Sequence, residues 1–474
     1  MWTSRIELTG GLRYRAIADA IRRAILEGEL RPGERLPTHR ALARQLAVTA
    51  GTVSRAYSVA AEWGLVTARV GAGTVVCAPA DPKPITPWVI GATALRIDFG
   101  LLRAAALTDG SLQERCFGRA FDGLGRDLLR SEYAGYSPEL GHPRHREIGA
   151  RWLSSPGVAT SPAEVFVCDG AQSAFLTLFS ALLRPEASLL VEEFAYLGVK
   201  QLCATMRIDL VAVPMDDDGM KPEKLRELAH TSGSQVVLLT PTLQNPTGVR
   251  MSHERRKQIV DVARESNLSI VEDATFDRLY PDAPPSLVTM APERTFHVAS
   301  LSKMVEPSMR VAFVKVPEKR MPHLESIRHS LNIGGPGLQA EIVCRWIESG
   351  AAAELCQWQR EEINRRWQVA AIRLPELVAH ESVPAPFAWA LLDSPWKSSD
   401  LAGLLRQRNV ILIEDFHFAV GRSPAPHAVR ISLTSPPSSN ILEEGLAIIR
   451  RVLDEGAMPV PVNGFRSILP RPRQ

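Results

Sequence analysis

Apolar residues recur every three or four positions through GLRYRAIADAIRRAILEGEL, where Ile17, Ile21, Ile25 and Leu26 share one face and predict an amphipathic helix. Pro32 and Gly33 in RPGER stop it. A second helix follows in LPTHRALARQL, with Thr38 as its N-cap and Leu42 and Leu46 turned inward. Beyond a tight turn, AVTAGTVSRAYSVAAEWGL predicts a third helix with Val53, Tyr57 and Ala61 on the inner side. The period then changes. VTARVGAGTVVC alternates apolar and polar positions around Gly71 and Gly73, which predicts a two-stranded hairpin. Three helices and a hairpin compose a winged helix-turn-helix, whose third helix enters the major groove while the wing lies along the DNA backbone.

The rest of the chain has a different rhythm. Short apolar runs recur as EVFVCDG (164–170), ASLLVEE (187–193), QVVLLTP (235–241), LSIVEDA (268–274) and RTFHVASLSK (294–303). Helix-length spans such as Ala171–Leu183 and Arg255–Ser266 separate them. Strands alternating with helices predict a mainly parallel sheet covered by helices on both faces, with functional residues at the strand ends. The fold class is therefore multidomain α/β: a winged helix-turn-helix over 1–78, a linker over 79–95 and a larger unit over 96–456. That unit divides into a large part at about 125–315 and a smaller α+β part at about 320–456, leaving a disordered tail at 457–474. The linker expectation rests on CAPADPKPITPWVIG, whose four prolines favour an extended, semi-rigid path.

Charge sharpens this division. Residues 1–78 hold eleven arginines against six acidic residues, an excess of +5, while the whole chain carries only +3. The head is the basic part, as a DNA-binding module requires. No apolar stretch approaches the length of a membrane span, and MWTSRIELTG lacks the apolar centre of a signal peptide, so a cytoplasmic location is expected. The six cysteines have neither CxxC spacing nor histidines at finger spacing; they read as reduced core thiols, and no metal site is expected.

The polar residues at the strand ends suit one cofactor. Pyridoxal phosphate requires a lysine for its aldehyde, a carboxylate for its ring nitrogen, amides and hydroxyls for its phosphate, and a flat partner for its ring. Lys303 follows a strand, Asp273 ends another, Gly170, Ala171 and Gln172 open a helix, and Tyr196 follows the strand at 187–193.

From Leu12 to Val76, including GELRPGERLPTHRALARQLAV and VGAGTVV, the chain resembles the DNA-binding domain of the GntR family of bacterial regulators. That resemblance implies that Arg40, Thr49, Arg55 and Arg69 supply phosphate and base contacts to a double-stranded operator. One departure is Ala50, where the recognition helix usually begins with Arg or Lys; a candidate for reading guanine is thereby lost. The larger unit resembles class I aminotransferases of fold type I. By that resemblance Lys303 forms an internal aldimine, Asp273 pairs with the pyridine nitrogen and Asn245 in QNPTG donates to the phenolic oxygen. Ser300, Ser302 and Arg310 in SLSKMVEPSMR hold the phosphate together with Gly170, Ala171 and Gln172. Tyr196 stacks on the ring, Tyr136 reaches the phosphate of a neighbouring subunit, and Arg430 in VRISLT grips the ligand's carboxylate. Phe276 stands where the family commonly has a tyrosine, and a phenyl ring cannot donate a hydrogen bond.

The two modules together resemble the MocR subfamily. This implies a head-to-tail homodimer and a regulator that senses an amino compound, or pyridoxal phosphate itself, at Lys303. The competing expectation is a working aminotransferase with an added DNA-binding head. A third is a cofactor-free dimerisation scaffold. The three differ in what happens at Lys303.

Overall fold

The computed structural model describes residues 13–26, 29–31, 33–62, 65–69, 73–76, 96–107, 110–130, 137–154, 159–304, 306–331, 334–376, 378, 383–394, 396–421 and 426–457. The linker at 79–95, Tyr136 and the tail beyond residue 457 lie outside them. The chain divides into two compact units, Met1–Ala92 and Thr93–Gln474.

In the first unit, α1 (Arg13–Leu26), α2 (His39–Gln45) and α3 (Ala50–Glu62) precede an antiparallel hairpin of β1 (Val66–Arg69) and β2 (Gly73–Val76). Thr38 caps α2 by accepting from the Ala41 amide at 3.3 Å. The core gathers Ile17, Ile21, Leu42, Val53, Tyr57 and Ala60. Ala60, not Ala61, faces inward, because 3.6 residues per turn carries the buried stripe from Val53 through Ala56 and Tyr57 to Ala60. The segment before α2 joins the wing: Gly33 donates to Val76, Leu36 donates to Thr74, and Arg35 bridges to Val75.

The second unit begins with β3 (Ile97–Asp98) and contains β4 (Val165–Cys168), β5 (Ser188–Glu192), β6 (Asp209–Val213) and a small hairpin of β7 (Met215–Asp216) and β8 (Gly219–Met220). It continues with β9 (Val236–Leu239), β10 (Ser269–Asp273), β11 (Thr295–Ser300) and β12 (Ala312–Lys315). Seven of these form one sheet in the order β4-β12-β11-β10-β9-β5-β6. β12 runs antiparallel to both neighbours and the other pairs are parallel. Burial alternates with the pleat: Val236, Leu238 and Val271 pack on one face with Phe175, while Val237, Leu239 and Ile270 pack on the other with Ile259. Helices cover both faces, as a parallel sheet requires.

A smaller α+β part follows the long helix Ala351–Arg373. Its sheet has the order β13-β16-β15, from β13 (Phe387–Leu391), β15 (Ile413–Glu414) and β16 (Ala428–Ser432), flanked by the helices Ser398–Gln407 and Ser439–Ala457. β3, the first strand of the unit, pairs in parallel with β14 (Val410–Ile411) of this late region. Five cysteines are described, and all are buried and free. Among the described residues no helix is long and apolar enough to cross a membrane.

Candidate cofactor site and DNA-reading head

The strand ends of the large sheet converge on Lys303. Its Nζ donates to the Leu102 carbonyl. Burial pushes this amine down to about 7; the Arg430 and Arg310 guanidiniums push the same way, against Asp273. Asp273, at the end of β10, is buried and its carboxyl is raised for that reason. The Thr275 amide and hydroxyl both donate to Asp273 Oδ1, at 3.1 and 2.5 Å, which orients the carboxylate and leaves Oδ2 for another partner.

Arg430 is 3% exposed and sits on β16 between the rings of Phe418 and Phe387, at 4.8 and 5.9 Å. Its Nη1 donates to Asn245 Oδ1 at 2.8 Å and its Nη2 to the Gly100 carbonyl at 2.7 Å, while Nε has no partner among the described residues. Burial lowers it to about 10. Because Asn245 spends its oxygen on Arg430, its amide nitrogen is left to donate elsewhere.

A nest for an anion lies at the start of the helix Gly170–Leu182. Asp169, its N-cap, makes no side-chain capping bond, so no side chain from the cap position meets the first amides, those of Gly170, Ala171 and Gln172. Gly170 has φ +78°, and a Cβ there would come within 2.8 Å of Arg310 Nη2. Arg310 is thus held against the helix start. Ser300 and Ser302, both buried, bond to each other at 3.3 Å. Gln172 donates to the Gly198 carbonyl at 2.8 Å, with its own Oε1 buried and unpartnered among the described residues. Tyr196 is 41% exposed and packs over Gly198, where a Cβ would meet its ring at 2.4 Å. Phe276 is buried against Phe387 with ring centres 6.1 Å apart. Lys303, Asp273, Arg310, Arg430 and Tyr196 are close enough for their charges to perturb one another. Tyr136 falls outside the described residues.

Some contributors carry no sequence motif. The carbonyls of Gly100 and Leu102 enter from the start of the unit. Glu192, buried at the end of β5, accepts from the Thr240 amide at 3.2 Å and from Gln244 at 3.3 Å, and burial pushes it up to about 8.

In the head, Arg40 is exposed on α2. Thr49 caps α3, accepting from the Thr52 amide at 3.1 Å and exchanging a hydroxyl contact with Thr52 at 2.8 Å. Arg55 lies over the Tyr14 ring of α1 at 4.2 Å. Arg69 ends β1 opposite Gly73. Arg35, absent from the sequence expectations, lies on the wing, with Nε 2.9 Å from where a Gly73 Cβ would stand.

Residues 122–448 match the family described as Aminotransferase class I and II. The chain belongs to that family. Residues 13–76 of this family member match the Bacterial regulatory proteins, gntR family, so its head is a gntR-type DNA-binding domain and the whole has the MocR-like composition. The HTH-type transcriptional regulator YdeF of Bacillus subtilis is 28% identical over 468 residues, covering 96% of this chain and 97% of YdeF. The HTH-type pyridoxine biosynthesis transcriptional regulator PdxR of Corynebacterium glutamicum is 26% identical, covering 76% of this chain and 78% of PdxR. LysN, an α-aminoadipate aminotransferase from Thermus thermophilus solved with N-(5'-phosphopyridoxyl)-L-leucine, superposes with a TM-score of 0.67 at 22% identity. That alignment covers 76% of this chain and 92% of LysN. It establishes a shared fold for the larger unit.

Proposed function

We propose that this aminotransferase-family chain is a transcriptional regulator that binds pyridoxal phosphate at Lys303 and reads an amino compound, or the cofactor itself, there. The observation that carries the reading is Arg430. It is a buried guanidinium with no carboxylate partner among the described residues, close enough to Lys303 to help push its amine down to about 7, in a chain that also holds a gntR-type head. Its second N–H groups suit a ligand carboxylate.

The residues fit the cofactor. The Gly170–Gln172 amides, Ser300, Ser302 and Arg310 would hold the phosphate; Asp273 Oδ2 would keep the proton on the ring nitrogen; Asn245 would donate to the phenolic oxygen; Tyr196 would cover the ring. When bound, pyridoxal phosphate would supply an electrophilic carbon open to primary amines. Lys303, whose amine burial pushes down to about 7, is far more available as a nucleophile near neutral pH than an exposed lysine. A ligand shifts the DNA-binding heads only as far as it favours one arrangement over another. Double-stranded DNA is the partner of the head, and a head-to-tail homodimer completes the assembly.

The test is the visible absorption of protein with added pyridoxal phosphate, followed by borohydride reduction and mass analysis, for wild type and Lys303→Ala. A covalent adduct at Lys303 that disappears in the variant supports the reading. Its absence from the wild type leaves a DNA-binding dimer on an inactive scaffold, whereas sustained turnover of an amino acid with a keto acid favours a working aminotransferase.

A further inference from the structure

A cleft of about 470 Å³ opens between the large sheet, the end of the helix Pro143–Leu153 and the helix Ala351–Arg373. It is separate from the Lys303 site. His297 and Ala299 line it, and they alternate along β11 with Phe296 and Val298, which pack toward the helix Gly170–Leu182; the cleft therefore lies on the other face of the sheet.

Its chemistry is uneven in a way that suits a ligand. Arg278 lies over the Trp152 ring at 4.9 Å and spends Nη2 on the carbonyls of Trp152 and Ser154. Arg360 donates Nη1 to the Arg278 carbonyl at 3.1 Å. Both guanidiniums face the cleft, and neither has a carboxylate within ion-pair distance among the described residues. Two buried polar atoms in the wall also lack partners among the described residues: the donor Trp152 Nε1 and the acceptor Asp277 Oδ1. Asp277 is anchored through its other oxygen, which accepts from Ser286 at 3.0 Å and lies 4.0 Å from His297 Nε2. His297 is itself fixed by Glu272 at 2.8 Å. Buried polar atoms in folded proteins are nearly always paired, and a volume of this size is that of a metabolite site.

We propose that this cleft is a second small-molecule site, for an aromatic or heteroaromatic acid that carries a hydrogen-bond donor on its ring. The acid meets Arg278 and Arg360, the ring lies along Trp152 and Tyr280, and the ring's donor reaches Asp277 Oδ1. Asp277 is four residues beyond Asp273 and its charge already acts on that carboxyl, so an occupant adjusts the Lys303 site from behind. The proposal stands apart from the reading of Lys303, because binding in the cleft requires no cofactor.

The test titrates the full chain, with and without pyridoxal phosphate, with indole-3-acetate and 4-hydroxyphenylacetate and with their uncharged amides, by calorimetry. At least one acid is expected to saturate one site per chain at least ten-fold more tightly than its amide. Arg360→Met should weaken it ten-fold or more while Arg360→Lys retains most of it. Ala353→Trp, at an exposed helix position that lines the cleft, plugs the space without removing a buried contact and should abolish binding while the circular dichroism spectrum and thermal melt are kept. The proposal fails if neither acid saturates, if the amides bind equally well, or if Ala353→Trp leaves binding intact.

Discussion

Lys303 carries a pH signature that can be separated from any role in DNA binding. Its folded value, about 7, lies below the ordinary lysine value, so between roughly pH 7 and 10 the unfolded chain binds the extra proton. Stability of cofactor-free protein should therefore rise with pH across that window, and the burial penalty is fully present below it. Lys303→Met should melt higher than wild type at pH 6 and show a flatter rise to pH 9, as thermal melts at several pH values would reveal. Gly170→Ala asks the helix start for an unfavourable φ and pushes a methyl group into Arg310. We expect cofactor affinity to fall roughly ten-fold, about 1.4 kcal/mol, in a fluorescence titration. Lysine, aspartate, asparagine and arginine at this site were legible in the sequence because their chemistry is carried by side-chain type and by short motifs. Glu192 and the carbonyls of Gly100 and Leu102 were not: burial and backbone position in the folded chain bring Leu102 to Lys303, Gly100 to Arg430 and Glu192 near Asp273.

Helix α3 depends on Thr49 as its cap, a role that exists without DNA. Thr49→Ala should cost about 1 kcal/mol and lower hydrogen-exchange protection in the first turn of α3, while Thr49→Ser preserves both. If exchange in the free protein is unchanged by the alanine, the cap contributes nothing. Tyr57 ties α3 to the segment before α2 by donating to the Pro37 carbonyl at 2.7 Å; Tyr57→Phe leaves that carbonyl unpaired and should cost roughly 1 kcal/mol in denaturant unfolding of the head. Long periodic elements such as α1 and α3, and the strands β4, β5, β9, β10 and β11, could be read from apolar spacing. β6 and β12 were not seen. β6 lies at the sheet edge with one exposed and three half-buried residues, so its pattern is diluted, and β12 is a four-residue strand just beyond the polar run SLSKMVEPSMR. The short strands of the smaller part, several only two residues long, offer no period at all.

Across the molecule, positive charge is concentrated in the head, and Arg40 is one of its exposed carriers. Arg40→Ala should weaken operator binding about equally across sequences and reduce the slope of log affinity against log salt by about 1, measured by fluorescence anisotropy. The order of modules was also readable from sequence, since a basic helical head and an alternating α/β body differ in both period and charge. What sequence left unread is the route by which the body begins. Residues just after the linker are stitched into the smaller part: Ile97 donates to Asn409, Phe99 donates to Ile411 and accepts from Ser432, and Thr434 donates to Arg103. The same short run gives its Gly100 carbonyl to Arg430 and its Leu102 carbonyl to Lys303. Lys303 and Arg430 therefore hold the short run that opens the larger unit, and an occupant bound to either side chain would compete with that contact. We expect occupancy to loosen residues 100–102. Amide exchange at Gly100 and Leu101, whose amides donate to Asp98 Oδ1, should speed up when Lys303 is engaged, while Ile97 and Phe99, held by backbone bonds to Asn409 and Ile411, keep their protection.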